Sequence, residues 1–116
     1  MVALLVMLVT VSMVGHVAAR TGEDGIASFY SDKFEGKRTA SGQIYRQDGL
    51  TAAHKNLPLG TKVKVSNVEN GKSVVVTIND RIAATSRVVI DVSRRAAERL
   101  GFVKAGRARV KLEVQK

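Results

Sequence analysis

Hydrophobic and polar residues alternate in two parts of the chain, and such alternation predicts β-strands. Residues 61–68 place two valines on one face and two lysines on the other. Residues 108–114 alternate in the same way, with basic and acidic side chains between the apolar ones. The pattern predicts two strands, each with one face toward a core and one face toward water.

Two further apolar runs, residues 74–78 and 88–90, are rich in Val and Ile. Runs of this kind predict strands that are covered on both faces. Each run leads to a carboxylate, Asp80 after the first and Asp91 after the second. An acid at the end of a buried strand is costly unless it is paired, hydrogen-bonded or used in chemistry. These two aspartates are therefore the first candidates for a functional site.

Local signals define a hairpin and a helix. The Asn70-Gly71 dipeptide lies between two β-rich runs and predicts a hairpin with a two-residue type I′ turn. Residues 94–100 have the spacing of a short helix, with Ser93 placed as its N-cap and Gly101 at its C′ position.

The remaining elements complete a small β-rich architecture. Strands are predicted over residues 25–30 and 50–54, and residues 31–44 form a long loop. The total is five or six strands with one short helix, in a single domain without repeats. A small closed barrel suits this set, because closure removes exposed strand edges.

The first 19 residues carry no charge and end in small residues. This outline predicts a secretory signal peptide over 1–19, because the apolar run is short for a membrane-spanning helix. An uncleaved anchor is the alternative. The protein is therefore expected to be exported to the periplasm or cell envelope. The sequence contains no Cys, so an acylated lipoprotein is not expected.

The chain has 19 Lys and Arg against 10 Asp and Glu, a net charge of +9. Such an excess predicts anionic partners: nucleic acid, anionic lipid or an anionic wall polymer. Nucleic acid is disfavoured, because aromatic residues are not interleaved with the basic ones. We expect a monomer that contacts a wall polymer, with membrane contact only through an uncleaved N-terminal segment.

Among side chains suited to chemistry, Asp80, Asp91 and His54 stand out. The sequence shows no metal-binding spacing and no glycine-rich phosphate loop, so neither a metal nor a cofactor is expected. The aspartates also have ordinary interpretations. Asp80 could pair with Arg81 or Arg87, and Asp91 could accept hydrogen bonds from the start of the following helix.

Several segments together resemble one known family, the rare lipoprotein A (RlpA) family. The resemblance lies in GIASFY (25–30), RTASG (38–42), LTAAHKNLPLG (50–60), NDR (79–81) and VIDVS (89–93). It implies a six-stranded double-psi β-barrel with one short helix, as in expansins, over residues 25–116.

The resemblance also implies an activity. It predicts a septal, endolytic peptidoglycan lytic transglycosylase that prefers glycan strands without stem peptides. Such an enzyme cleaves the β-1,4 bond between N-acetylmuramic acid (MurNAc) and N-acetylglucosamine (GlcNAc) and leaves a 1,6-anhydro sugar. By this likeness Asp91 is the acid/base, and Asp80 positions the substrate or tunes Asp91. Sugar contacts are expected from His54, Arg81, Gln43, Tyr45, Thr51 and Asn79.

The chain departs from the family pattern at two places. Gln43 and Arg46 stand where the family commonly has Glu and Asp, and Ile82-Ala83 stands where it has Gly-Pro. These differences keep an alternative open, in which the domain is a non-catalytic or weakly active glycan-binding module that loosens the wall.

Overall fold

The computed structural model describes residues 22–116, so the predicted signal segment lies outside the described residues. Six strands close into a barrel in the spatial order β1-β5-β2-β4-β3-β6, and one short helix follows β5. A six-stranded barrel with one short helix is what the sequence predicted. The elements are β1 (Gly22–Phe29), β2 (Thr51–His54), β3 (Lys62–Asn67), β4 (Ser73–Arg81), β5 (Ile90–Val92), α1 (Arg94–Leu100) and β6 (Ala108–Val114), with a 3₁₀ turn at Asp32–Phe34.

The barrel mixes parallel and antiparallel pairs. β1 runs parallel to β5 and antiparallel to β6, and β2 runs parallel to β4 and antiparallel to β5. β3 lies antiparallel to both β4 and β6. Within residues 22–116 no helix is long and apolar enough to cross a membrane.

The barrel interior takes every second residue of its strands. In β4, Val74, Val76 and Ile78 are buried, while Val75 is 41% exposed. The prediction that this strand is covered on both faces is therefore wrong, because its outer face meets solvent. The core is filled mainly by small and branched side chains from all six strands together with Ala96, Ala97 and Leu100 of α1.

Helix α1 has the caps that the sequence predicted. The Ser93 hydroxyl accepts a hydrogen bond from the Ala96 N–H, which would otherwise lack a partner in the first turn. Gly101 ends the helix at a φ of 76°, in the left-handed region that glycine adopts at little cost.

The β3–β4 hairpin is present, but its turn is longer than predicted. The Asn67 N–H donates to the Lys72 carbonyl, and the Gly71 N–H donates back to the Asn67 carbonyl. The connection is thus a four-residue loop, 68–71, and the predicted two-residue turn is wrong. The longer loop lets Asn67 and Asn70 each donate a side-chain hydrogen bond, 3.0 Å long, to the Leu100 carbonyl at the end of α1.

We expect Asn67→Ala to lower the free energy of unfolding by about 1–3 kcal/mol, because it removes a buried amide that bonds the helix end. Chemical denaturation of the variant would measure this loss. Asn70→Ala is the matched control: Asn70 donates to the same carbonyl from an exposed position, so its loss should be smaller. Equal losses of unfolding free energy in the two variants would contradict the prediction that the buried Asn67 contributes more than the exposed Asn70.

Candidate active site

The strand register brings the two aspartates together. Ala53 of β2 pairs with Asp91 on one side and with Asp80 on the other. The register shifts between Ala52 and Ala53, because Ala52 pairs with Ile78 while Ala53 pairs with Asp80. Strict alternation after the buried Ile78 would turn Asp80 toward the core. The extra residue, Asn79, forms a bulge that turns Asp80 to the face on which Asp91 lies.

Asp80 is held by two hydrogen-bond donors from different segments. The Tyr30 hydroxyl donates to Oδ2 at 2.6 Å, and the Ala40 N–H donates to Oδ1 at 2.8 Å. Burial and the hydrogen bond to Asp80 raise the pKa of Tyr30 well above its usual range, so its hydroxyl remains a donor. The predicted ion pair with Arg81 or Arg87 is wrong: Arg81 donates instead to the backbone carbonyl of Asp80.

Asp91 is partly buried. The Ser28 hydroxyl donates to its Oδ1 at 3.1 Å, across the β1–β5 pair. Burial raises the pKa of Asp91, the Ser28 hydrogen bond opposes this shift, and the charge of Asp80 adds to it. The prediction that Asp91 accepts from the helix start is wrong, because Ser93 occupies that role.

Both carboxylates line one cleft of about 280 Å³, which we call the aspartate cleft. Phe34 lies at its edge, 40% exposed, and packs edge-on against Tyr30. Three cationic side chains share the lining with the two acids: Lys37, Arg38 and Arg81. The cleft therefore combines a partly buried acid, a hydrogen-bonded carboxylate and positive charge, which suits an anionic substrate.

Tyr45 supports this cleft by packing behind Tyr30, which lines it. It is 2% exposed, and its ring stacks on that of Tyr30 with centroids 4.3 Å apart. Its hydroxyl accepts a hydrogen bond from the Arg94 N–H at the start of α1. A direct sugar contact by Tyr45 is therefore a wrong prediction in this geometry, since the ring is covered. Ile82, in place of the family's Gly, packs against the cluster of Tyr30, Tyr45 and Ala53.

His54 does not join the aspartates. It is buried on the core side of β2, where its Nε2 lies 2.9 Å from a Glu23 carboxylate oxygen. Its Nδ1 accepts hydrogen bonds from the N–H groups of Asn56 and Leu57. His54 lines a separate cavity near the β1 start, so its grouping with the aspartates in one site is wrong.

Gln43 and Asn79 lie together in a neighbouring cleft, where the Asn79 Nδ2 donates to the Gln43 Oε1 at 3.1 Å. Thr51 lines neither this cleft nor the aspartate cleft. Arg46 lines neither cleft and donates to Glu35 at 3.2 Å, while Glu35 also accepts from the Gln47 N–H. These contacts fix the long loop, so Arg46 has a structural partner where the family commonly has Asp.

Sequence reasoning missed Tyr30, Ser28, Lys37 and Arg38. Ser28 and Tyr30 are two residues apart at the end of a predicted strand, so alternation could have placed them on one face. Their pairing with the aspartates depends on the barrel register, which no local signal carries. Within the part of the chain described, residues 22–116, no three His, Asp or Glu side chains are grouped to hold a metal ion.

The fold and the cleft define a double-psi β-barrel domain with a carboxylate pair on its surface. The Streptomyces papain inhibitor SPI has this fold at 21% identity and a TM-score of 0.65, over 82% of this chain and 94% of that one. The apo expansin of Clavibacter michiganensis matches at 19% identity and a TM-score of 0.67, over 82% and 50%. Likeness at these identities concerns the fold alone.

The family model described as lytic transglycolase matches residues 22–112, so the chain belongs to this family. It is 53% identical over 89 residues to the "Endolytic peptidoglycan transglycosylase RlpA" of Pseudomonas aeruginosa, covering 77% of this chain and 26% of that protein. It is 47% identical over 91 residues to the Neisseria meningitidis protein of that name, covering 78% and 38%. The predicted membership of the RlpA family is confirmed. The chain spans only 26% and 38% of these two relatives.

Proposed function

We propose that this domain is an endolytic lytic transglycosylase that cleaves the β-1,4 bond between MurNAc and GlcNAc in peptidoglycan. The observation that carries the proposal is the pair of aspartates in one cleft with unequal environments. Asp91 is partly buried with a raised pKa, whereas both oxygens of Asp80 accept hydrogen bonds. Unequal environments are what assign different roles to two carboxylates. The names of the relatives support the same activity.

In the proposed reaction Asp91 begins as the carboxylic acid and donates its proton to the glycosidic oxygen. The bond from that oxygen to the MurNAc C1 breaks, and GlcNAc leaves with a free hydroxyl. The MurNAc C6 hydroxyl then bonds to C1 and closes the 1,6-anhydro ring, and its proton returns to Asp91. No water is consumed. A hydrolase, by contrast, needs its second carboxylate as a nucleophile or base.

Asp80 has a different task in this scheme. Glycosidic cleavage passes through a state with positive charge near C1, and a fixed negative charge stabilises it. The hydrogen bonds from Tyr30 and Ala40 hold the Asp80 carboxylate for this purpose. Lys37, Arg38 and Arg81 attract the lactyl carboxylates of MurNAc, which are free on strands that lack stem peptides.

The alternative of a non-catalytic glycan-binding module rested on Gln43 and Arg46 and on Ile82-Ala83. Gln43 and Arg46 do not line the aspartate cleft, and Ile82 lines it beside both aspartates, so these differences leave the carboxylate pair in place. We further propose export to the cell envelope, supported by the uncharged residues 1–19. Cell fractionation tests the location, and recovery in the cytosol would overturn it.

The activity is tested by incubating the purified protein with glycan strands stripped of stem peptides. Mass spectrometry of the products should show chains that end in 1,6-anhydro-MurNAc. Strands that retain stem peptides are the control substrate and should be cleaved more slowly. Products with ordinary reducing ends, or intact strands at high protein concentration, would overturn the proposal.

The pH dependence of kcat should show the effect of the Ser28 hydrogen bond on the pKa of Asp91. Asp91 must be protonated to act as the acid, so activity falls as the pH rises through its pKa. The Ser28 hydroxyl favours the ionised form and lowers that pKa. We expect Ser28→Ala to raise the pKa and move the alkaline limb of the kcat profile to higher pH.

Ser31→Ala is the matched control, because Ser31 caps the 3₁₀ turn and does not contact Asp91. Its profile should match that of the unmodified protein. A shift of the Ser28→Ala limb to lower pH would contradict the assignment of Asp91 as the acid.

A further inference from the structure

The neighbouring cleft that holds Gln43 and Asn79 has a volume of about 280 Å³, and we call it the amide cleft. At the end of β4, Asn79 lines the amide cleft and the next residue, Asp80, lines the aspartate cleft. A single loop binds both residues. The Ser41 N–H donates to the Asn79 carbonyl at 3.1 Å, and the Ala40 N–H donates to the Asp80 carboxylate. The two clefts are therefore lined by successive residues of one strand and bordered by one loop.

The wall of the amide cleft contains an acceptor without a donor. Asn79 is 4% exposed, and its Nδ2 donates a hydrogen bond to the Gln43 Oε1. No hydrogen-bond donor within residues 22–116 reaches its Oδ1. Buried oxygens of this kind nearly always have a partner in proteins. This oxygen is itself buried, so an N–H or O–H group of a bound molecule supplies the partner only if the Asn79 amide turns toward the cleft.

The two clefts differ in their lining. No ionisable side chain lines the amide cleft within the described residues, and the Lys62 ammonium beside it donates to the Thr77 hydroxyl at 3.1 Å. The polar lining groups are amides and hydroxyls, from Gln43, Asn79, Ser41 and Thr77. Leu59 adds an apolar surface that is 43% exposed. Amides, hydroxyls and an apolar face suit an uncharged sugar, whose ring presents C–H groups on one side and polar groups around its edge.

We propose that the amide cleft is the subsite for the uncharged N-acetyl sugar next to the cleaved bond. The acetamido group bonds to the Gln43–Asn79 pair, and the ring face packs on Leu59. This assignment rests on the proposed function for the other sugar: MurNAc, with its carboxylate, lies among the cations of the aspartate cleft. It fixes the direction of the glycan strand, with GlcNAc on the side of the amide cleft.

The test is an NMR titration of the ¹⁵N-labelled protein with chitotriose, a chain of three GlcNAc units. Amide signals of residues 41–43, 59–60 and 77–79 should shift. Cellotriose has the same backbone linkage without acetamido groups and should shift them little. Equal shifts with both sugars, or chitotriose shifts confined to other regions, would overturn the subsite.

Variants of two glutamines on one loop sharpen the test. Gln43→Leu should weaken chitotriose binding about fivefold to tenfold, the loss expected for one or two hydrogen bonds. Gln47→Leu is the control, because the Gln47 side chain lies outside the amide cleft. Equal affinities of the two variants would overturn the role of Gln43. If the protein binds chitotriose in this cleft but cleaves no glycan, the proposed function is wrong and the subsite stands. If it cleaves glycan but does not bind chitotriose there, the subsite is wrong and the proposed function stands.

Discussion

Asp91→Asn is expected to lower kcat for glycan cleavage by about 10²–10⁴-fold, the contribution of a general acid. The amide has nearly the same shape and can still accept the hydrogen bond from Ser28, so the fold should be kept. What is lost is the proton that the leaving oxygen needs. Release of anhydro products, measured by mass spectrometry at saturating substrate, gives the loss.

The same change should not destabilise the protein. Burial raises the pKa of Asp91, so its ionised form is the disfavoured one in the folded state. The stability contribution of such a group falls as the pH rises through its folded pKa. A neutral Asn removes that cost, and we expect the free energy of unfolding at neutral pH to stay equal or rise.

Asp24→Asn is the matched control for Asp91→Asn. Asp24 is an exposed aspartate on β1 that pairs in the ladder with Lys111, away from the aspartate cleft. It should leave kcat unchanged. Full activity of Asp91→Asn would refute the mechanism, and a large loss of folding stability in that variant would refute the account of its pKa.

Asp80→Asn is expected to lower kcat by about 10²–10³-fold, the effect of removing one preorganised electrostatic group. It should also leave a signature in the pH profile. The charge of Asp80 raises the pKa of Asp91, so its removal lowers that pKa. The alkaline limb should therefore move to lower pH, which is opposite to the shift expected for Ser28→Ala.

Tyr30→Phe separates the charge of Asp80 from its position. This variant keeps the carboxylate and removes only the donor to Oδ2, so kcat should fall about tenfold or less. If Tyr30→Phe lost as much activity as Asp80→Asn, the hydrogen bond and not the charge would be the important contribution. Circular dichroism of both variants checks that the barrel is intact.

Much of the fold follows from local signals in the sequence. The α1 helix was predicted with its Ser93 and Gly101 caps, because capping depends on residues a few positions apart. Alternation gave β3 and β6. The length of the hairpin loop was predicted wrongly, since the side chains of Asn67 and Asn70 bond to a helix end some 30 residues away.

The site was only partly predictable. The two aspartates were found from their places at the ends of apolar runs, and the structure places them in one cleft. Which way each side chain faces depends on the bulge at Asn79, and a one-residue change of register reverses the face. For the same reason the sequence could not show that His54 turns to the core while Ala53 lies between the aspartates.

The closed barrel has a consequence for how the chain folds. The partners of β1 are β5 and β6, so residue 27 pairs with residue 90 and residue 22 with residue 113. Pairings this distant along the chain slow folding, because the entropy of closing a long loop is lost before the contacts that stabilise it can form. The β3–β4 hairpin is local and can form early, whereas β1 has no strand to join until β5 (Ile90–Val92) is available. Asp80 and Asp91 come together through β2, which pairs with both β4 and β5, so the proposed catalytic pair requires these two pairings to form.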